Sequence, residues 1–196
     1  MAYRLCMRQR DIGERDVGGG GYVGEEPVRM VTYDPAWPAR FDEERTALTS
    51  AIGDWVVGGI HHVGSTSVPG LESKPVIDIL VGVQGLGASR PCFDRLRDLG
   101  YVYAPYRSDE MHWFCKPDPS RRTHHLHLVP VDSPRFREEL AFRDYLRGHR
   151  DAAERYGALK RALAQEFRND REAYTNAKAE FIQATVTRAL DELGRA

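Results

Sequence analysis

Residues His61–Val83, HHVGSTSVPGLESKPVIDILVGV, decide how this chain is read. Pro75–Val83 is apolar on both faces, which predicts a strand at the centre of a sheet. One carboxylate, Asp78, interrupts it. Side chains alternate along a strand, so Val76, Asp78 and Leu80 share one face and Ile77, Ile79 and Val81 the other. An ionised carboxylate in a dry core is costly unless paired. Asp78 therefore meets a ligand or metal in a cleft, or forms a structural pair with Lys74 or a histidine.

Gly64 lets the chain turn without Cβ strain, and Ser65, Thr66 and Ser67 offer hydroxyls beside backbone N–H groups. A strand feeding such a turn into a short helix makes an anion site. A serine-capped turn without a ligand has the same composition. Lys74 precedes Pro75 and is expected to be extended, in reach of a phosphate or simply solvated.

Around this stretch, VRMVTY (Val28–Tyr33) reads as a strand. DPAWPARFDEERTALTSAI starts a helix, with Asp34 as its cap and Pro35 in the first turn. Ile60–Val63 is a short strand, a helix is expected over Ser89–Leu99, and two or three strands over Tyr101–Tyr103, Met111–Lys116 and His125–Val131. In the last, His125 and His127 share a face, a spacing that grips one metal ion, flanks an anion, or leaves two half-exposed histidines. From Ser133 onward the pattern is helical, to about Arg150, then over Asp151–Phe167 and Arg171–Leu193, with Asn169 or Asp170 as a cap. YGALK and YTNAK each place Tyr and Lys four apart, at Tyr156 and Lys160 and at Tyr174 and Lys178. With Arg143 and Arg147 these make a basic, hydroxyl-bearing wall for a phosphate or carboxylate, or lysine stems lying over a core edge.

The bulk properties narrow the classes. A chain of 196 residues with 41% apolar and 29% charged residues has the composition of a globular domain. Lys+Arg 28 against Asp+Glu 29 gives a net charge of -1. That balance, and the lack of interleaved basic and aromatic residues, argue against a nucleic-acid partner. Cys6, Cys92 and Cys115 are isolated, which fits a reducing compartment better than a disulfide framework. No signal-peptide or membrane-spanning pattern is seen, so a cytoplasmic protein without membrane contact is expected. Residues 1–27, ending near a glycine run, read as a flexible arm. The remainder, 28–194, reads as one domain: a sheet part to about residue 132 and a helical part over about 133–194. The expected class is α/β (α+β).

These motifs together resemble the GrpB family, within the DNA polymerase beta-like nucleotidyltransferase superfamily. The resemblance runs from about Val28 to Leu190 through YDPAWPARF, HHVGSTSVPGLESKPVIDILV, HLHLV, FRDYLR, YGALK and YTNAK, in order. It implies a nucleotidyltransferase-like mixed β-sheet with flanking helices. In that superfamily a Gly-Ser turn holds nucleotide phosphates and the following strand carries two acids one position apart. Gly64 and Ser65 match the turn and Asp78 the first acid, but Leu80 stands at the second. Leucine cannot ligate the hard Mg²⁺ pair of two-metal phosphoryl transfer. Where the third acid belongs, on a later strand, this chain offers His125 and His127. Asp78, His125 and His127 favour a single softer metal, or none. The same domain type occurs attached to dephospho-CoA kinases.

The resemblance thus implies a transferase acting on a nucleotide or another phosphorylated or activated small molecule. ATP or another nucleotide would be the ligand, with a divalent metal of unspecified identity as cofactor. Asp78, with His62 or His127 as a general base, would be catalytic. Gly64, Ser65, Thr66, Ser67, Lys74, Arg143, Tyr156, Lys160, Tyr174 and Lys178 would hold phosphate or nucleotide. Two other readings stand beside it: a non-catalytic nucleotide- or anion-binding module, and a transferase forming an amide or ester in small-molecule biosynthesis.

Overall fold

A computed structural model describes residues 27–195; the arm expected over residues 1–27 lies, but for Pro27, outside the described residues, as does Cys6. In chain order the elements are α1 (Trp37–Ile52), β1 (Val56–Val63), β2 (Ile77–Val83), α2 (Leu86–Ser89), α3 (Phe93–Asp98), β3 (Val102–Tyr103), β4 (His112–Pro117) and β5 (Arg122–Pro130). Four helices follow: α4 (Pro134–Gly148), α5 (Arg150–Glu166), α6 (Arg171–Asn176) and α7 (Ala179–Leu193).

The five strands form one mixed sheet in the order β1-β2-β5-β4-β3. β2 lies between an antiparallel β1 and a parallel β5, as its two apolar faces require. One face packs on α1 and α3, burying Ile77, Ile79, Val81 and Val83 with Trp37, Phe41, Leu48, Leu96, Leu126 and Leu128. On the other face Leu80 packs with Val63, Met111, Val129 and Phe136 of α4. That contact depends on two facing glycines: a Cβ at Gly82 would come within 2.6 Å of Gly58 Cα and 2.9 Å of the Phe136 ring. The remaining helices extend this second layer. Tyr156 joins Val68, Leu71, Leu146 and Ala152, while Tyr174 joins Val28, Leu163 and Ala164.

Several expected boundaries move. Val28–Tyr33 forms no strand; only Val31 pairs, in an isolated antiparallel bridge to Ser73. Asp34 does not cap α1. Its carboxylate accepts from Ala36 N at 2.9 Å in the turn ahead of the helix, and Pro38, not Pro35, lies in the first turn. The helix expected over Ser89–Leu99 is interrupted by a 3-10 turn at Arg90–Cys92. The long C-terminal helix is broken at Ala177–Lys178 into α6 and α7, with Asp170 accepting from Ala173 N as the cap of α6. Cys92 and Cys115 are buried free thiols. No described helix is long and apolar enough to cross a membrane.

Candidate functional site

Asp78 lies directly opposite His125 in the parallel β2/β5 register, and His125 Nδ1 donates to Asp78 Oδ1 at 2.8 Å. The bond follows from strand alternation. Residues in register on adjacent strands point to one face, so the two polar side chains that interrupt apolar strands meet. The carboxylate is 27% exposed and the imidazole 14%. Burial works against the charge on Asp78, but the bond from His125 and the nearby positive groups, Lys74 among them, hold its carboxyl below the usual carboxylate range. Burial also pushes the His125 imidazole down, more than Asp78 raises it. The pair is a carboxylate held by a neutral imidazole, whose Nε2 is buried without a hydrogen-bond partner.

The Gly64 turn closes over this carboxylate. Gly64 has φ 66° and ψ −173°, a region essentially confined to glycine. A Cβ there would fall 2.2 Å from Asp78 Oδ2. Sequence reasoning asked for the acid to lie against the Gly-Ser bend, and it does. The hydroxyls behave differently from the expectation of a phosphate cradle. Thr66 is fully buried, donates to Val76 O and meets His62 Nε2 at 3.0 Å; Ser67 donates to Gly64 O. Both are spent on building the turn, so Thr66 and Ser67 are corrected to structural residues. Ser65 remains half-buried at the site, within hydrogen-bonding reach of Tyr156.

His62 is also corrected. It pairs in register with Ile79, on the face opposite Asp78, where it stacks on Phe41 with ring centroids 4.8 Å apart. Burial lowers its pKa to about 4, a neutral structural imidazole. His127, in register with Leu80, shares the Asp78 face, and its Nδ1 lies 3.4 Å from Glu139 of α4. Burial raises the Glu139 carboxyl, but His127 and Arg135 outweigh it and hold the group ionised. Glu139 was missed by sequence reasoning: in REELAFRDYLR nothing local separates it from Glu138.

Three lysines act electrostatically on the Asp78 carboxylate. Lys178 Nζ lies 4.2 Å and Lys74 Nζ 5.3 Å from the centroid of the Tyr174 ring, and Lys160 Nζ lies 4.8 Å from that of Tyr156. Lys160 is almost fully buried and donates to Glu72 O. Burial, and then Lys178, lower its pKa to about 7, with Glu72 and Asp78 opposing. Lys178 is lowered to about 7 by burial and by Lys74, again against Asp78. The break between α6 and α7 places Lys178 where it feels that carboxylate. Burial pushes the Tyr174 hydroxyl up to about 12 and Tyr156 up as well, so both stay protonated donors.

Arg143 belongs elsewhere. Its guanidinium forks onto Asp144 at 2.7 and 2.8 Å and donates to His62 O at 3.3 Å, lining a separate cleft behind the turn. Asp78, His125 and His127 do not make a metal centre: His125 gives Nδ1 to Asp78, and no group of three or more His, Cys, Asp or Glu among the described residues could hold a metal ion. The superfamily's second acidic position fits still less. Leu80 is fully buried beneath Phe136 and Met111, so the donor set does not suit a pair of hard cations.

The GrpB protein family model matches residues 27–188. A UPF0157 protein of Pseudomonas aeruginosa is 38% identical over 172 residues, covering 85% of this chain and 69% of that one. The glutamate-rich protein GrpB of Alkalihalophilus pseudofirmus is 35% identical, covering 82% and 94%. The crystal structure of conserved protein GrpB from Enterococcus faecalis superposes with a TM-score of 0.77 at 34% identity, over 84% of this chain and 99% of that one. A dephospho-CoA kinase of Mycolicibacterium paratuberculosis is 30% identical, with 86% of this chain matching 47% of that longer protein. The chain belongs to the GrpB family.

Proposed function

We propose that this domain is a nucleotidyltransferase-like transferase acting on a nucleotide or another phosphorylated or activated small molecule, without a bridged metal pair. The observation that carries the reading is the Asp78–His125 bond, made in register beneath the Gly64 turn, with Lys74, Lys160 and Lys178 near enough for their charges to act on the carboxylate. Three amines around one carboxylate leave the pocket with an excess of positive charge whenever the lysines are protonated. An activated, anionic donor is the complementary substrate class. Asp78 orients or deprotonates an acceptor, and His127 stands beside it on the same face. Lysine ammonium groups offset the charge that develops on the leaving group. A nucleotide arriving with its own solvent-coordinated divalent ion is the first donor to test, and the dephospho-CoA kinase relative supports that choice.

The buried Leu80 favours one second reading, a binding module of the same fold that keeps the anion pocket and does no chemistry. One comparison separates the two. Nucleoside triphosphates are screened by melting-temperature shift with and without Mg²⁺, and hits are followed for turnover in wild type and Asp78→Asn. Binding retained and turnover lost in Asp78→Asn supports the transferase. Binding without turnover of any triphosphate, metal-independent in both proteins, supports the module and defeats the transferase.

A further inference from the structure

We infer that the cleft behind the Gly64 turn is a second anion-recognition site, for an organic phosphate or carboxylate with an apolar body, separate from the Asp78 pocket. The cleft has a volume of about 1020 Å³ and runs between α1, the end of β1, the 67–72 loop, α4 and α5. Neither Asp78 nor any of the three pocket lysines lines it. Its size suits a whole metabolite rather than a bare ion.

The charges on its walls do not cancel. Arg45 pairs with Asp42, Arg150 with Glu154, Arg161 with Glu72 and Arg143 with Asp144. The fifth guanidinium, Arg147, has no carboxylate of its own and reaches the already occupied Asp144 only at 3.8 Å. Burial and the nearby Arg143 both work against its charge, the signature of two guanidinia sharing one counter-ion. A guanidinium has five N–H donors, so Arg147 keeps capacity after its Nε donates to Ser67 O at 2.9 Å. Tyr33, Phe41, Val68 and Leu146 supply the apolar wall against which an organic body packs.

Two arginines of the cleft also hold the Gly64 turn in place. Arg143 donates to His62 O and Arg147 to Ser67 O, backbone carbonyls two residues before and three residues after Gly64. An anion drawn onto this arginine pair pulls on the same turn that closes over Asp78.

The test uses the full chain with three probes: phenyl phosphate, benzoate and inorganic phosphate. Binding is read by melting-temperature shift and by ¹H–¹⁵N NMR of the arginine Nε–H signals. The expected result is saturable binding of phenyl phosphate or benzoate at millimolar concentration, tighter than inorganic phosphate, with the better of the two naming the ligand class. Arg147→Gln should weaken it about tenfold or more, the size of one lost charge-assisted hydrogen bond. Lys178→Met, in the other pocket, should change it less than about twofold. Should Arg147→Gln fail to fold, Ala153→Glu adds a negative charge to the same wall and should abolish binding. No saturable binding of any probe overturns the inference. So does binding that survives the cleft variants, or that Lys178→Met removes.

Discussion

Gly64→Ala should destabilise this protein mainly through Asp78. Two costs add. The backbone conformation, φ 66° and ψ −173°, costs a non-glycine residue about 1–3 kcal/mol. The new Cβ would also stand 2.2 Å from Asp78 Oδ2, so the carboxylate must leave its position and with it the 2.8 Å bond to His125. Losing a buried hydrogen bond to a charged group costs about 1.5–3 kcal/mol. The expected total is roughly 2.5–6 kcal/mol. Asp78→Ala isolates the second cost. With the carboxylate gone, the 2.2 Å clash is removed and a 2.9 Å contact to the residue-78 Cβ remains. Gly64→Ala in that background should then cost the backbone strain and that residual contact, without the loss of the His125 bond. Urea unfolding of the four proteins of this cycle should give a coupling energy of at least about 1.5 kcal/mol. Additivity within about 0.5 kcal/mol would refute the claim that the turn and the acid form one unit.

Three further outcomes are expected. His62 has a folded pKa of about 4 against 6.5 for an ordinary histidine, so the unfolded chain takes up its proton first. Its contribution should be intact above pH 6.5 and lost between 6.5 and 4, up to about 3 kcal/mol at 1.36 kcal/mol per unit, with the loss removed in His62→Phe. Lys160 and Lys178, both lowered to about 7, should be charged below that pH and neutral above it. Anion affinity at the Asp78 pocket should therefore fall as pH rises through 7, while their effect on stability runs the other way, rising from 7 towards 10.5; titration calorimetry and unfolding at matched pH check the pair. Leu80→Asp, which places an acid two residues after Asp78, should cost about 3 kcal/mol or more rather than build a metal site, because the position is sealed by Phe136 and Met111; urea unfolding and a Mg²⁺ titration test this.

How much of this was legible before any coordinates follows the range of each interaction. The central strand announced itself because a run apolar on both faces has few other places to go. The close approach of the Gly64 turn to Asp78 was foreshadowed by a glycine turn and a lone acid within one short stretch. By contrast, His62 and His127 look alike in sequence, and only the pairing register put them on opposite faces of the sheet. Thr66 and Ser67 looked like ligand donors because composition does not reveal which way a hydroxyl turns. Glu139 and the excess charge of Arg147 depend on how α4 docks, a long-range event that leaves no local mark. The fold was therefore read mostly from period and punctuation, while the site needed register.

The Asp78–His125 bond joins residues 47 apart in sequence, and the Lys160–Glu72 bond residues 88 apart. No contiguous fragment shorter than residues 72–160, about half of the described chain, holds both. During synthesis the acid waits for His125 until β5 has emerged and paired alongside it, and Lys160 and Lys178 join later still. A nascent or truncated chain ending before α5 would carry the sheet and its carboxylate but none of the charge that balances it from the helical layer.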